Sequence, residues 1–124
     1  MLTKKNPHMS QFYQKIDHYK DVMLNLGIEC DQQLLTAVTK GLGPSIYKEE
    51  AEIISGNCVE ELQTVKTNFL GKKLGLFDSQ KIDNAIETVI SKMGDSNNCK
   101  YRAIFYYLLV KELSKEYIYF EKAS

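Results

Sequence analysis

Three lysines in one acid-free segment are the residues whose type and spacing most suggest binding chemistry. Residues 62–77 contain Lys66, Lys72 and Lys73 and no Asp or Glu, which gives the segment a local charge of +3. On an α-helix of about 3.6 residues per turn, Lys66 and Lys73 would share one face because they are seven residues apart. We therefore predict a small basic helix face that could contact an anion.

Two further cations would enlarge this face if the last helix begins beside it. Lys100 and Arg102 flank Tyr101, whose ring could stack on a nucleic-acid base. Such a small cluster would bind nucleic acid weakly and in a salt-sensitive way. The alternative is a solvated helix face on which the lysine stems cover apolar neighbours. A balance of 16 Lys+Arg against 16 Asp+Glu also argues against nucleic acid as the main partner.

A turn that contains glycine and proline is a second candidate for ligand binding. Ser45 and the backbone amides near Gly43 could hold an anion where a helix begins. In the alternative interpretation this segment is a structural corner, in which Gly41 and Gly43 end one helix. Pro44 would then begin the next turn and Tyr47 would pack. The segment lacks the lysine of a phosphate-binding P-loop, so no nucleotide site is predicted.

The aromatic residues near the C-terminus are the best candidate for a partner surface. Tyr117, Tyr119 and Phe120 lie in one four-residue run with Ile118, and such a run is costly to leave exposed. They would dock on a second copy of the chain or on another protein, or alternatively fold back onto their own domain. Tyrosine suits either environment because it has an apolar ring and a polar tip.

The cysteines and histidines have no spacing that is typical of a metal site or a catalytic group. Cys30, Cys58 and Cys99 are 28 and 41 residues apart, and neither His8 nor His18 has the spacing of a zinc ligand. Cys58 and Cys99 lie near predicted helix starts, where the helix dipole favours the thiolate, but ordinary reduced thiols are the favoured interpretation. We therefore predict no metal and no cofactor, and we favour a protein that is not an enzyme.

The elements that must position these residues are helices. Apolar residues recur at three- and four-residue steps in four segments, which predicts one buried stripe on each helix. Polar residues that can cap helices, and glycines that can end them, set the predicted boundaries. The predicted amphipathic helices span residues 10–26, 31–42, 57–75 and 79–93, and the segment 43–56 is either a short helix or an irregular packed stretch.

The last predicted helix, about Cys99 to Leu113, differs from the others. Between Tyr101 and Val110 only Arg102 is charged, so apolar residues cover nearly the whole circumference. A helix that is apolar all round is normally surrounded by other helices. We predict an all-α fold, a single multihelical domain with five to six helices in an irregular array around this apolar C-terminal helix.

Length and composition limit the class of protein. A chain of 124 residues with 44% apolar residues can bury one core without disulfides or metal. The longest apolar run, Ala103–Val110, is far shorter than the ~20 residues of a membrane-spanning helix. The N-terminal residues also lack the apolar run of a secretory signal. We expect a cytoplasmic protein with no membrane partner.

Five separated blocks of the sequence occur in the order of a known family: Gly43–Tyr47, Glu61–Leu70, Lys72–Leu76, Lys100–Ala103 and Tyr106–Leu109. Together they resemble the small bacterial family of domain of unknown function 2853, over about residues 9–119. The resemblance implies an all-helical single domain and no assigned activity. Members of the family often begin near the position of Met9, so the resemblance also implies that residues 1–8 are a poorly ordered extension and that residues 9–124 form the domain.

Two function hypotheses follow, with a third that the sequence favours least. The first is a non-enzymatic protein-interaction module that forms a homo-oligomer or binds an unknown protein. The second is a weak nucleic-acid or anion binder that uses the lysine-rich face. The third is a small enzyme or ligand carrier with its site at the turn Gly43–Tyr47.

Overall fold

The computed structural model describes residues 7–54, 59–94 and 100–120 of the 124-residue chain. This described part is helical apart from turns, linkers and one pair of two-residue strands. In chain order the elements are α1 (Pro7–Asn25), α2 (Gln32–Leu42), a 3₁₀ turn (Gly43–Tyr47), α3 (Glu49–Glu52), β1 (Ile53–Ile54), α4 (Val59–Thr64), a π-helix (Val65–Lys73), α5 (Ser79–Met93), β2 (Lys100–Tyr101), α6 (Arg102–Glu112) and α7 (Tyr117–Phe120).

Two helix starts coincide with local capping groups. At the start of α2, the side chain of Asp31 accepts a hydrogen bond from the backbone N–H of Leu34 at 3.3 Å. At the start of α5, Asp78 accepts from the N–H groups of Gln80 and Lys81 at 3.1 and 3.2 Å. These contacts satisfy first-turn amides that have no partner within the helix. They confirm the predicted starts of both helices.

Helix α6 is the centre of the core. All of Ala103–Val110 is buried, and Phe105 and Leu109 are fully inaccessible. The helix packs mainly against α2 and α5, and it also contacts α1, α3 and both strands. The predicted all-α fold around an apolar C-terminal helix is confirmed. The helix begins at Arg102, whereas Cys99, where its start was expected, lies outside the described residues.

The amphipathic helices bury the stripes that their periodicity predicts. Burying a large apolar side chain contributes roughly 1.5–3 kcal/mol, so a few such residues per helix are enough to fix its packing face. The fully inaccessible members of these stripes are Ile16, Tyr19 and Met23 in α1, Leu34 and Leu35 in α2, Val65 in the π-helix, and Val89 and Met93 in α5.

A short antiparallel strand pair connects the segments that precede α4 and α6. Ile53 lies opposite Tyr101, and Ile54 lies opposite Lys100. The stretch 43–56 was predicted to be either a short helix or an irregular packed segment. Its described residues, 43–54, form the 3₁₀ turn, α3 and β1. Two residues are too few to show the alternation by which a strand is identified in a sequence.

The third predicted helix is not α-helical throughout. After α4 the chain continues as a π-helix, in which hydrogen bonds run from residue i to i+5. The backbone N–H of Leu74 accordingly donates to the carbonyl of Phe69 at 3.0 Å. Gly71 is buried here, and a Cβ added to it would lie 3.3 Å from the carbonyl oxygen of Lys66. A glycine therefore permits the close backbone approach in this segment.

The aromatic run near the C-terminus forms α7 and folds back onto α2. Ile118 and Tyr119 are partly buried against the core. The Tyr119 ring lies 3.8 Å from the position that a Cβ on Gly41 would occupy. Tyr117 and Phe120 remain half exposed, at 51% and 50%. The middle of the run therefore belongs to this domain, while its outer side is accessible.

No helix in the part of the chain that the structure describes is both long enough and apolar enough to span a bilayer. Helix α1 begins at Pro7, and residues 1–6 lie outside the described ranges. The extension predicted for residues 1–8 therefore stays a prediction.

Candidate functional site

The π-helix directs its polar side chains to two different surfaces. Lys66 and Lys72 line one groove together with Gly71, whereas Lys73 lines a separate cleft together with Asn68. The prediction that Lys66 and Lys73 share a face is therefore wrong. Each turn of a π-helix contains more residues than an α-turn, so the spacing of seven that aligns residues on an α-helix does not align them here.

We call the first surface the Phe77 groove. It lies between the π-helix and the start of α5 and has a volume of about 470 Å³. Its lining residues are Gln63, Lys66, Thr67, Gly71, Lys72, Leu76, Phe77, Ser79, Ile82 and Asp83. In the described part of the chain, Phe77 is the most exposed large apolar side chain, at 83%. Phe77 therefore gives this groove apolar surface that a partner could cover.

Local backbone geometry holds Phe77 outward. Gly75 has a φ of 71°, which ends the π-helix in a left-handed residue. The backbone N–H of Leu76 then donates to the carbonyl of Leu70 at 2.8 Å and closes that end. Asp78, the next residue after Phe77, caps α5. Phe77 thus lies in a short linker that hydrogen bonds hold at both ends.

The Phe77 groove has a positive side. Nζ of Lys66 lies 2.9 Å from a carboxylate oxygen of Asp83, but both side chains are partly exposed, so this pair contributes at most about 1 kcal/mol. Lys72 is exposed and has no carboxylate partner among the described residues. A ligand with a negative charge can therefore approach Lys72 without breaking an existing ion pair.

We call the second surface the Tyr119 cleft. It has a volume of about 240 Å³, it lies where α2, the π-helix, α6 and α7 meet, and its main lining residues are Val38, Leu42, Asn68, Phe69, Lys73, Tyr106 and Tyr119. The rings of Phe69 and Tyr106 stack with centroids 3.9 Å apart. Nζ of Lys73 lies 5.0 Å from the centre of the Tyr119 ring. Burial, and to a lesser extent the neighbouring Tyr106, raises the pKa of Tyr119 to about 12.

The remaining cations of the predicted basic face are used elsewhere. Lys100 is only 3% exposed in β2, so it cannot enlarge an exposed surface. Nε of Arg102 donates to the carbonyl of Ala51 at 2.7 Å, and Nη1 donates to the hydroxyl of Tyr106 at 3.1 Å. The five cations therefore do not form one exposed patch, because strand pairing and the start of α6 engage two of them. Anion or nucleic-acid contact by any of them stays a prediction.

The predicted turn Gly43–Tyr47 has the contacts of a structural corner. Gly43 has a φ of 66°. Pro44, which follows it, lies in the first turn of the 3₁₀ helix. The hydroxyl of Ser45 donates to the carbonyl of Leu42 at 3.0 Å, and the side chain of Ile46 is buried. Tyr47 is 46% exposed rather than packed. Binding of a ligand at this turn remains a prediction.

The outer side of the C-terminal run faces a third depression. Phe120 and Tyr13, which is 43% exposed, lie at the edge of a cleft over the polar face of α2, with a volume of about 580 Å³. Apart from Ala37, the other lining side chains, such as Gln33 and Lys40, are polar. Contact of Tyr117, Tyr119 and Phe120 with a second copy or another protein stays a prediction.

A buried polar group joins α1 to α3, and no pattern in the sequence indicated it. The hydroxyl of Tyr19 donates to Glu52 at 2.6 Å, and Nζ of Lys15 lies 3.0 Å from the same oxygen. Both Tyr19 and Glu52 are buried. Burial and the adjacent carboxylate raise the pKa of Tyr19 well above its usual 10.0. The nearby Nε2 of His18 lies 3.0 Å from the hydroxyl of Tyr101, but His18 itself is exposed.

The thiol chemistry of the described residues is limited to Cys30. Its side chain is partly buried, and burial raises the pKa of its thiol, which disfavours the reactive thiolate. Cys58 and Cys99 lie outside the described residues, so their reactivity is still a prediction. Within residues 7–54, 59–94 and 100–120, no three His, Cys, Asp or Glu side chains are grouped as metal ligands would be.

Comparison with known proteins identifies the family and no activity. No curated protein matches this chain. The model of the family described as "Protein of unknown function (DUF2853)" matches residues 17–117, which include every element from the middle of α1 to the first residue of α7. The resemblance predicted from the five sequence blocks is thereby confirmed. Because the match covers most of its 124 residues, the chain belongs to the DUF2853 family.

Proposed function

We propose that this protein is a non-enzymatic interaction module that binds an acidic segment of another protein in the Phe77 groove. The observation that carries the proposal is the exposure of Phe77, 83%, beside a groove that Leu76 and the lysines Lys66 and Lys72 also line. The segment would place an aliphatic or aromatic side chain against Phe77 and a carboxylate near Lys72.

The energetic reason for an apolar anchor lies in the exposed ring itself. Covering a phenylalanine that water now surrounds is worth about 1.5–3 kcal/mol. Leu76, which is partly exposed, supplies further apolar surface within the same groove. Since few residues carry most of the energy of a protein interface, one exposed aromatic ring in a groove is a reasonable anchor.

The reason for an acidic partner is charge complementarity. Two lysines, Lys66 and Lys72, line the groove. Asp83 is the one carboxylate among the groove's lining residues, and it already pairs with Lys66. A basic partner would meet Lys72 without compensation, whereas an acidic segment would pair with it. Rim charges of this kind act mainly on the association rate and on selectivity.

Selection from a displayed library of random peptides tests the proposal without knowledge of the natural partner. The bait is the full chain, and the variant Phe77→Ser removes the anchor. Leu24→Ser is the matched control, since Leu24 is 76% exposed on α1 and does not line the groove. Circular dichroism should show equal helix content in all three proteins.

We expect the selected peptides to carry Asp or Glu beside an apolar residue. Phe77→Ser should weaken their binding by about 30-fold, the equivalent of roughly 2 kcal/mol at an interface hot spot. Leu24→Ser should leave binding unchanged. Peptides without acidic residues, or equal binding by Phe77→Ser, would contradict the proposal.

The proposal has two further parts, which concern the location of the protein and its self-association. We propose a cytoplasmic location. The three cysteines support it, because their odd number and wide spacing are not typical of a disulfide-linked protein from an oxidising compartment. We also propose that self-association, if it occurs, uses the exposed sides of Tyr117 and Phe120. Truncation after Ser114 tests this second point by the mass in solution, because a dimer that survives truncation excludes these residues from its interface.

A further inference from the structure

We propose that the Tyr119 cleft binds a small organic monocarboxylate with an apolar body, its carboxylate on Lys73 and its body between α2 and the Phe69–Tyr106 stack. This proposal is independent of the Phe77 groove, because the two surfaces share none of their lining residues. It would give the same π-helix a small-molecule site on one side and a partner groove on the other.

The charge of the cleft selects an anion. Lys73 is the one charged residue among those that line the cleft, and no carboxylate lines it. In the described part of the chain, no ion pair involves Lys73, and its ammonium group instead lies over the Tyr119 ring at 5.0 Å. An ammonium group held beside an aromatic ring can turn toward a carboxylate without losing a stronger partner.

The walls of the cleft are mainly apolar, which favours a ligand with an apolar body. Val38 and Leu42 come from α2, and Phe69 and Tyr106 form a stacked pair on the opposite elements. Asn68 adds one neutral polar group beside Lys73. A single lysine and a single amide are few donors for a phosphate, which carries more charge and more acceptor oxygens than a carboxylate.

The size of the cleft limits the ligand. Its volume, about 240 Å³, is below the range of about 300–1,000 Å³ that holds drug-sized molecules. One ring or a short acyl chain fits this space, and a nucleotide or a long fatty acid does not. Compounds of this size with one charged contact bind with a Kd on the order of 1 mM.

Benzoate and hexanoate are suitable probes, and benzamide is the neutral analogue of benzoate. Binding is followed on the full chain by the methyl signals of Val38 and Leu42 in NMR spectra. Lys73→Met removes the charge and keeps most of the stem. Lys72→Met is the matched control, because Lys72 is the adjacent residue and lines the other surface.

We expect both carboxylates to shift these methyl signals in a saturable way, and benzamide to bind about tenfold more weakly or not at all. Lys73→Met should weaken benzoate binding about tenfold, and Lys72→Met should not. Both lysines are exposed, so neither variant should impair folding. The proposal would be overturned if the methyl signals did not move at about 10 mM benzoate, ten times the expected Kd. Equal affinity of Lys73→Met and Lys72→Met for benzoate would also overturn it.

Discussion

Replacement of Tyr19 by Phe removes one hydroxyl group and should destabilise the protein by about 1.5–3 kcal/mol. In the native state this hydroxyl donates to Glu52 at 2.6 Å, and both residues are buried. The variant leaves the carboxylate with Lys15 at 3.0 Å but without its buried donor. Because phenylalanine retains the ring, the packing of α1 changes little, and the loss can be attributed to the hydrogen bond.

Urea unfolding at neutral pH measures this loss. We expect an unchanged m-value and a lower midpoint, by about 1 M for a typical m of 1–3 kcal/mol/M. Tyr117→Phe is the control, since Tyr117 is 51% exposed, and its stability should stay within about 0.5 kcal/mol of the wild type. If Tyr19→Phe also stayed within that limit, the buried carboxylate would not depend on this donor and our reasoning would be refuted.

The same variant has a pH signature. The pKa of Tyr19 in the native state lies well above the 10.0 of the unfolded chain, because of burial and the adjacent carboxylate. Above pH 10 the unfolded state therefore binds fewer protons than the native state, and stability falls as the pH rises. Below pH 10 the hydroxyl of Tyr19 is protonated in both states, so its full contribution to the free energy of unfolding is present. Tyr19→Phe should show a shallower fall above pH 10, and equal slopes would contradict the assignment.

Three further predictions concern the stability of α2, of the turn that follows it and of α6. Gly43→Ala should cost about 1 kcal/mol because the residue has a φ of 66°, whereas Gly41→Ala should add roughly 0.5–1 kcal/mol to the stability of α2. Urea unfolding checks both, and the opposite order would contradict the observed helix end. Leu109→Ala should cost about 2–5 kcal/mol, measured by thermal unfolding. A cost no larger than that of Leu24→Ala would contradict the central position of α6.

The parts of the fold that could be predicted depend on signals close together in the sequence. Asp31 and Asp78 cap helices through amides two or three residues away, so each boundary is visible in a few letters. The central position of α6 follows from composition alone, since only Arg102 interrupts the apolar run between Tyr101 and Val110. These features need no knowledge of the tertiary structure.

The parts that could not be predicted depend on residues far apart. Tyr19 and Glu52 are 33 residues apart, and neither carries a local sign of the other. Lys100 looked like a surface cation, but its pairing with Ile54 buries it. The π-helix was not predicted either, because an apolar stripe such as that of Leu62, Val65 and Phe69 would suit an α-helix equally well.

The candidate site was therefore predicted in part. The acid-free lysines were identified, but the assumption of α-helical geometry joined Lys66 and Lys73 on one face, although they line different surfaces. Phe77 was not among the predicted site residues, because nothing in the sequence around it distinguishes an exposed phenylalanine from a packed one. Its exposure depends on the turn at Gly75, whose direction only the structure shows.

Photo-crosslinking from position 77 tests the central proposal most directly. A photoreactive phenylalanine analogue, p-benzoylphenylalanine, is introduced at Phe77 in cells of the native organism, and the same analogue at Leu24 is the control, since both positions are highly exposed. The proposal predicts a discrete crosslinked protein from position 77 alone, with the crosslink in an acidic segment of that protein. No discrete product from position 77, or the same product from both positions, would contradict it.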